Sequence, residues 1–254
     1  MNRRVLLVAQ AFSRRLVAQK AGAVVLFGSW VRGDAYKESD IDIHAVGRGP
    51  HCRLELYQGF LVSVSWSTPR QHLRAFKDPG QVGGVIPAWR NALIIYDPEG
   101  IAEGLKQEAK RWQWDSLGKQ AAEWVAEELT GYAEEVHRLV GNLQLGRRSA
   151  ASIQRSLLAI HMAPILIVHH RILYDTENRL WDLVSARMGA GWARVQSAAL
   201  GEGGQSFEDT CKASLQLFTL TAREVRHLLK PQQYEVVARA CEIAGQPLTD
   251  EGRK

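Results

Sequence analysis

The chain has 254 residues, of which 46% are hydrophobic, and carries a net charge of +5. This length suits one large domain or two modest ones with real cores. The basic residues are scattered singly and in pairs, so we expect solvated faces and no nucleic-acid partner. The cysteines, Cys52, Cys211 and Cys241, are three in number and lie far apart. This argues against a disulfide framework and favours a reducing cytoplasm.

Membrane attachment is not expected from the sequence. No segment approaches eighteen apolar residues, the length that a membrane-spanning helix needs. The first residues resemble the start of a signal peptide, but Gln10 and the pair Arg14-Arg15 shorten the apolar run. No small-residue cleavage site follows, so we predict that the protein is cytoplasmic.

In chain order, the hydrophobic pattern predicts one helix, a strand-rich region and then a series of helices. The first helix covers residues 4–20, strands follow at 23–28, 41–47, 54–57, 60–66 and 92–96, and a helix lies near 69–76. Further helices are predicted at 101–114, 117–143, 149–173, 177–199, 207–229 and 232–244. The turn Asp97-Pro98-Glu99-Gly100 separates the two regimes. We therefore predict an α+β protein, with a small mixed-sheet domain over residues 1–98 and an all-helical bundle domain over residues 99–254.

Two carboxylates stand at the start of the second predicted strand. The segment Ser39-Asp40-Ile41-Asp42 places Asp40 and Asp42 two positions apart. Because side chains alternate along a strand, both carboxylates share one face and the isoleucines take the other. Neighbouring carboxylates repel each other and favour a hard cation such as Mg²⁺, which also binds phosphate oxygens.

A glycine–serine pair ends the first predicted strand, ten residues before Asp40. Gly28 allows a ligand to approach the backbone closely, and Ser29 begins a predicted helix whose free N–H groups suit a phosphate. Arg32, four residues after Gly28, could reach a phosphate or simply solvate the loop. Together with the two carboxylates, this segment predicts a site for a metal-bound nucleoside triphosphate.

This arrangement resembles the signature of the DNA polymerase β-like nucleotidyltransferases. The signature consists of an apolar strand, Gly28-Ser29, a fixed gap and Ser39-Asp40-Ile41-Asp42 on a second strand. The wider sequence is similar to the kanamycin nucleotidyltransferase family, which adenylylates a hydroxyl of aminoglycosides. The segments that carry this similarity are 61–66, 94–100, 127–133 and 169–174.

The resemblance implies attack of an acceptor hydroxyl on the α-phosphate of a nucleoside triphosphate, ATP in the first instance. It implies phosphate contacts from Gly28 and Ser29, and Mg²⁺ held by Asp40 and Asp42. Arg32 and Ser39 are further candidate nucleotide-binding residues. It also implies a helical domain that binds a small-molecule acceptor and forms a homodimer.

Three positions depart from the family pattern. Ser63 stands in place of a glutamate, Gly131 in place of the carboxylate taken as general base, and Glu135 in place of a lysine. A neighbouring carboxylate could take over the base role. Glu128 lies one turn before Gly131, and Glu55 lies on the strand paired with that of Ser63.

The sequence leaves two other functions open. The chain could bind nucleotide without turnover, as a catalytically impaired homologue, or act as a binding protein of the toxin–antitoxin type. His169 and His170 are adjacent in an apolar helix. Their spacing favours a structural role, because a helical metal pair would be expected at i and i+4.

Overall fold

The computed structural model describes residues 2–246 and residue 248. The chain forms two compact units that divide between Ser116 and Leu117. A small mixed sheet lies in the first unit and helices make up the second, so the α+β architecture is confirmed. Each unit is described on its own below.

The first unit is built on a five-stranded sheet in the order β3-β4-β2-β1-β5. The strands are β1 (Ala23–Leu26), β2 (Ile41–Val46), β3 (Cys52–Tyr57), β4 (Phe60–Ser67) and β5 (Leu93–Tyr96). The pair β2–β4 is parallel, and the other neighbours are antiparallel. The sheet is therefore mixed, with β3 at one edge.

Helix α1 (Arg3–Ala18) covers one face of this sheet. Its buried side chains, including Phe12 and Leu16, recur at helical spacing and pack against Ile41 and Ile43 of β2. All four side chains are at most 2% exposed. The alternation along β2 thus sends its isoleucines into the core and leaves the other face for polar residues.

A tight turn joins β3 to β4. Gln58 and Gly59 have φ values of 51° and 82°. Positive φ at both central residues matches the twist of the flanking strands, and glycine adopts it without strain. The hairpin predicted over residues 54–66 is confirmed, with each strand slightly longer than expected.

Two helices, α3 (Pro69–Ala75) and α4 (Pro79–Asn91), follow the hairpin. The sequence prediction had α3 but not α4, which contains Pro87 and several glycines. Asp78 caps the helix by accepting the N–H of Gly80, and Val82, Ile86 and Trp89 form its buried stripe. Capping and burial therefore outweigh a poor intrinsic helix propensity.

Helix α5 (Ile101–Arg111) belongs to the first unit, because it packs against α4 and β1. The Arg90 side chain donates to the carbonyls of Ala109 and Trp112. The compact unit thus extends past the predicted boundary at residue 98, which marks a turn rather than the end of packing.

The second unit consists of helices packed on one another. They are α6 (Gln120–Gln144), α7 (Arg148–His169), α8 (Leu180–Met188), α9 (Ala190–Leu200), α10 (Phe207–Val225) and α11 (Pro231–Ile243). The single helix predicted over residues 177–199 is divided at Gly189, which has a φ of 87°. The helix α7 forms the centre of this unit and contacts α6 and α10.

In the described part of the chain, α7 is the one helix long and apolar enough to cross a membrane by length and composition. Half of its most apolar window is buried within the structure. The three cysteines are free, as the sequence predicted.

Candidate active site

The carboxylates predicted to bind metal lie at the start of β2. Asp40 immediately precedes the strand and Asp42 is its second residue. Asp42 is aligned with Ser63 of the parallel strand β4, and aligned residues share a face of the sheet. This face is opposite to the α1 core, as the alternation predicts.

Gly28 and Asp42 fit against each other at the end of β1. A Cβ atom on Gly28 would lie 1.9 Å from Asp42 Oδ2, and the glycine has a φ of +75°. The Phe27 N–H also donates to the Asp42 carbonyl at 3.0 Å. The Asp42 carboxylate occupies the space that a side chain at position 28 would need, so only glycine fits at this position.

The surroundings of the Asp42 carboxylate disfavour its charged form. Burial, together with the nearby charge of Asp40, raises its pKa to about 6, and the Arg32 guanidinium opposes this effect. Two carboxylates that disfavour each other's charge are stabilised by a divalent cation between them. The paired oxygens are the hard ligands that Mg²⁺ prefers, so the residues present fit this ion.

The other predicted nucleotide contacts lie in the segment between β1 and β2. Ser29 and Arg32 belong to the short helix α2 (Gly28–Arg32), and Arg32 pairs with Asp34 at 3.3 Å. Ser39 is buried, and its hydroxyl accepts the N–H of Tyr36 at 3.0 Å. Ser39 thus shapes the loop that leads to Asp40, while its role as a nucleotide contact stays a prediction.

The suggestion that Glu55 could take over the role of general base is wrong. In β3, Leu54 is aligned with Ser63, whereas Glu55 is aligned with Val62 on the opposite face. There the Glu55 carboxylate pairs with Arg15 at 3.1 Å and with Arg53 at 2.8 Å. A shift of one residue along a strand reverses the face, so Glu55 points away from Asp42.

A polar network beside the carboxylates was not predicted from the sequence. The Trp89 indole N–H donates to His72 Nδ1 at 3.3 Å, and His44 Nε2 lies 2.8 Å from His72 Nε2. Ser65 Oγ lies 2.7 Å from His44 Nδ1. Because Trp89 can only donate, His72 donates to His44, and His44 donates to Ser65.

Burial holds both imidazoles of this network neutral. Burial lowers the pKa of His44 to about 3, and the neighbouring His72 adds to this effect. Burial lowers the pKa of His72 to about 4. His44 follows Asp42 at the strand period, so the alternation could have placed it on the same face. Nothing in the sequence indicated that His72 and Trp89 would join it.

The predicted general base, Glu128, lies on α6 in the second unit. Close to it, the rings of Tyr132 and His161 stack with centroids 4.9 Å apart. Burial, Glu128 and Glu135 together raise the pKa of Tyr132 to about 12. A Cβ on Gly131 would meet no atom within 4 Å. The catalytic role of Glu128 stays a prediction.

Comparison with known proteins identifies a related domain and a related fold. Residues 8–85, which include the Gly28 and Asp42 segment, match the family model described as a nucleotidyltransferase domain. The crystal structure of a nucleotidyltransferase-like protein from Exiguobacterium sibiricum has a similar fold, with a TM-score of 0.50 and 11% sequence identity. That likeness covers 92% of this chain and 79% of the other, and it concerns the fold alone. No curated protein matches the sequence. The match over residues 8–85 supports nucleotidyl transfer as the general activity.

Proposed function

We propose that the protein transfers a nucleoside monophosphate from a Mg²⁺-bound nucleoside triphosphate, with ATP as the first candidate, to a hydroxyl of a small-molecule acceptor. The observation that carries this proposal is the fit between Gly28 and Asp42. A glycine whose Cβ would collide with a carboxylate at 1.9 Å is required by that carboxylate. The resulting oxygen pair with Asp40 suits a divalent cation.

In this proposal Asp40 and Asp42 hold Mg²⁺, while Gly28 and Ser29 face the phosphates. When bound there, Mg²⁺ would supply neutralisation of charge on the transferred phosphoryl group and would help to orient it. The Arg32 guanidinium, which lowers the pKa of Asp42, adds positive charge beside the phosphates. The protein's own contribution is therefore position and electrostatics. Glu128 is proposed as the base that accepts the acceptor's proton, and a cytoplasmic homodimer is proposed as the working form.

The sheet face beside Asp42 favours a neutral acceptor over a polycationic aminoglycoside. Ser63 is aligned with Asp42, and the next strand presents Leu54 and Leu56 on the same face. Both leucines are exposed, at 63% and 84%. A polycation requires carboxylates around it, and the one carboxylate of β3, Glu55, lies on the other face.

A second candidate is nucleotide binding without turnover. It is favoured by Ser63, because the third carboxylate of the family is absent from the strand next to Asp42 and Glu55 does not replace it. A binding protein of the toxin–antitoxin type would fall in the same class, since it needs no transfer step.

The transfer reaction is tested by measuring the release of pyrophosphate from each nucleoside triphosphate. A panel of neutral and cationic alcohols serves as acceptors. We expect Mg²⁺-dependent release that Asp42→Asn reduces at least about 100-fold, because a metal ion contributes several kcal/mol to the transition state. Glu38→Gln, an exposed carboxylate in the same loop, is the matched control and should retain activity. Nucleotide binding without release for every acceptor would favour the second candidate, and equal activity in Asp42→Asn would overturn the proposal.

A further inference from the structure

Histidine and glutamate side chains converge at one end of the helical unit. His169 is the last residue of α7, and His170 caps that helix. Glu224 lies in the last turn of α10. These three residues each offer one ligand atom, and the three atoms lie within 4.8 Å of one another. The two helices thus bring together residues that are far apart in sequence.

The spacing fits a first-row transition metal. Glu224 Oε1 lies 3.8 Å from His169 Nε2 and 3.4 Å from His170 Nε2. Ligands bound tetrahedrally at zinc distances are separated by about 3.3–3.5 Å. The histidine side chains are 15% and 9% exposed and Glu224 is 38% exposed, so the cluster is shielded but open on one side. The ligand atoms of His169 and His170 lie no more than 4.8 Å apart, so the side chains would draw closer together on binding one ion.

Further donors surround the three ligands. The exposed His227 follows α10, and its ring centroid lies 5.6 Å from that of His169. The Met188 sulfur lies 3.2 Å from His170 Nε2. Imidazole and thioether donors suit zinc, copper or nickel rather than magnesium, which prefers oxygen. The ligand chemistry therefore indicates a borderline or soft divalent ion.

Burial disfavours the charged form of both ligand imidazoles. Burial lowers the pKa of His169 to about 4, with a further contribution from His170, against the opposing charge of Glu224. Burial also lowers the pKa of His170, where Glu224 again opposes and Arg187 adds to the effect. A neutral ring has a free nitrogen lone pair, which is what a metal ion requires.

One residue competes with a metal at this position. The exposed Arg187 donates its Nε–H to His170 Nδ1 at 3.3 Å. That bond leaves the ring proton on Nε2, which then faces Glu224. For His170 to bind a metal through Nε2, its proton must move to Nδ1 and Arg187 must turn away into solvent. Arg187 is thus an internal competitor whose removal should strengthen metal binding.

We propose that His169, His170 and Glu224 form a binding site for a divalent transition-metal ion of the zinc class, with His227 as the nearest candidate for a fourth ligand. The ion would connect the end of α7 to the end of α10 and stabilise the helical unit. The site uses neither Asp40 nor Asp42, so it does not depend on the proposed transfer reaction.

Two measurements test this site. The first is calorimetric titration of the metal-free protein with Zn²⁺, and the second is the visible absorption spectrum of the protein with Co²⁺. We expect one Zn²⁺ bound per chain through these residues, an increase in melting temperature, and Co²⁺ bands typical of four-coordination. His169→Ala and Glu224→Gln should each weaken Zn²⁺ binding at least about 10-fold, because each removes a direct ligand. Arg187→Gln should tighten binding several-fold.

The control is His137→Ala, which removes an exposed histidine of α6 outside the cluster and should leave Zn²⁺ affinity unchanged. Circular dichroism verifies that each variant remains helical. Glu224→Gln preserves side-chain shape, so it serves if His169→Ala fails to fold. Zn²⁺ binding that is absent, or that Glu224→Gln and His137→Ala weaken equally, would overturn the proposal.

Discussion

The two compact units present two candidate metal sites built in opposite ways. In the first unit, Asp40 and Asp42 are two residues apart at the start of one strand, and both candidate ligands are carboxylates. In the second, His169 and His170 meet Glu224 from another helix, so two ligands are imidazoles. The first set favours Mg²⁺ and the second favours Zn²⁺. The two units thus offer different ligand types, and ligand type, more than charge alone, determines which ion each candidate site would favour.

The comparison also shows why one site is visible in sequence and the other is not. A strand period of two fixes the common face of Asp40 and Asp42 from local sequence alone. The meeting of α7 with α10 depends on helix packing, which no short motif encodes. The prediction that His169 and His170 are structural followed from their adjacency, which carries no information about Glu224 on a distant helix.

The largest expected effect comes from Gly28→Ala, which alters only the candidate site of the first unit. The new Cβ would lie 1.9 Å from Asp42 Oδ2 at a φ of +75°. Displacing the carboxylate should lower Mg²⁺-dependent nucleotide binding by about 100-fold or more, and backbone strain should cost about 1–3 kcal/mol of unfolding free energy. Calorimetry and thermal unfolding measure both.

Gly33→Ala is the control for Gly28→Ala, because Gly33 also has a positive φ, of +91°, but a Cβ there meets no atom within 4 Å. It should show the strain without the loss of nucleotide binding. Zn²⁺ binding should be the same in both variants. Equal nucleotide binding by the two variants would contradict the proposed fit between Gly28 and Asp42.

An intermediate effect is expected from acid on the buried His44–His72 pair. Their folded pKa values, about 3 and about 4, lie below the ordinary value of 6.5. The unfolded chain therefore binds more protons, and this contribution is complete above pH 6.5 and is lost as the pH falls toward 4. Because the pKa of Asp42 is raised, its contribution to the free energy of unfolding decreases as the pH rises from about 4 to 6, which is opposite to the histidine effect. This contribution is the same in wild type and in the variant described next.

His72→Leu should reduce the pH dependence of stability by roughly 1–3 kcal/mol between pH 7 and pH 4.5, although it also lowers stability at pH 7. Chemical unfolding across this range measures the slope. The exposed His51 serves as control, since His51→Leu should keep the wild-type slope. A wild-type slope in His72→Leu would show that the pair is not what makes the first unit sensitive to acid.

The smallest effect is expected from Ser63→Glu, which would bring a third carboxylate beside Asp42. The aligned position places it on the same face, so Mg²⁺-dependent nucleotide binding should tighten by about 3–10-fold. Ser67→Glu lies on the same strand and face, level with Val46, and should have no such effect. Weaker binding in Ser63→Glu than in wild type would indicate that repulsion between carboxylates outweighs the gain of a ligand.

Much of the first unit could be predicted, because strands repeat every two residues and turns are marked by a few residue types. The hairpin at Gln58-Gly59 and the β2 alternation followed from residue type alone. The helix α4 was missed because Pro87 and its glycines suggest a loop, while burial of Trp89 stabilises a helix. Glu55 was misplaced because only the register shows which face a strand residue takes.

The polar network and the histidine cluster could not be predicted, because their members come from separate elements. His44 and His72 are 28 residues apart, and their bond exists only once α3 packs over the sheet. The boundary between the units likewise depends on how α5 packs, and the turn after residue 98 does not determine it.

The most direct test is calorimetric titration with a non-hydrolysable ATP analogue, with and without Mg²⁺, of wild type and the Asp40→Asn/Asp42→Asn variant. We expect wild type to bind only when Mg²⁺ is present, because the carboxylate pair and the phosphates share the ion. The double variant should lose this binding while its Zn²⁺ binding persists. Binding of equal strength in both proteins, or none by wild type with any nucleoside triphosphate analogue, would contradict the assignment of Asp40 and Asp42 as the metal–nucleotide site.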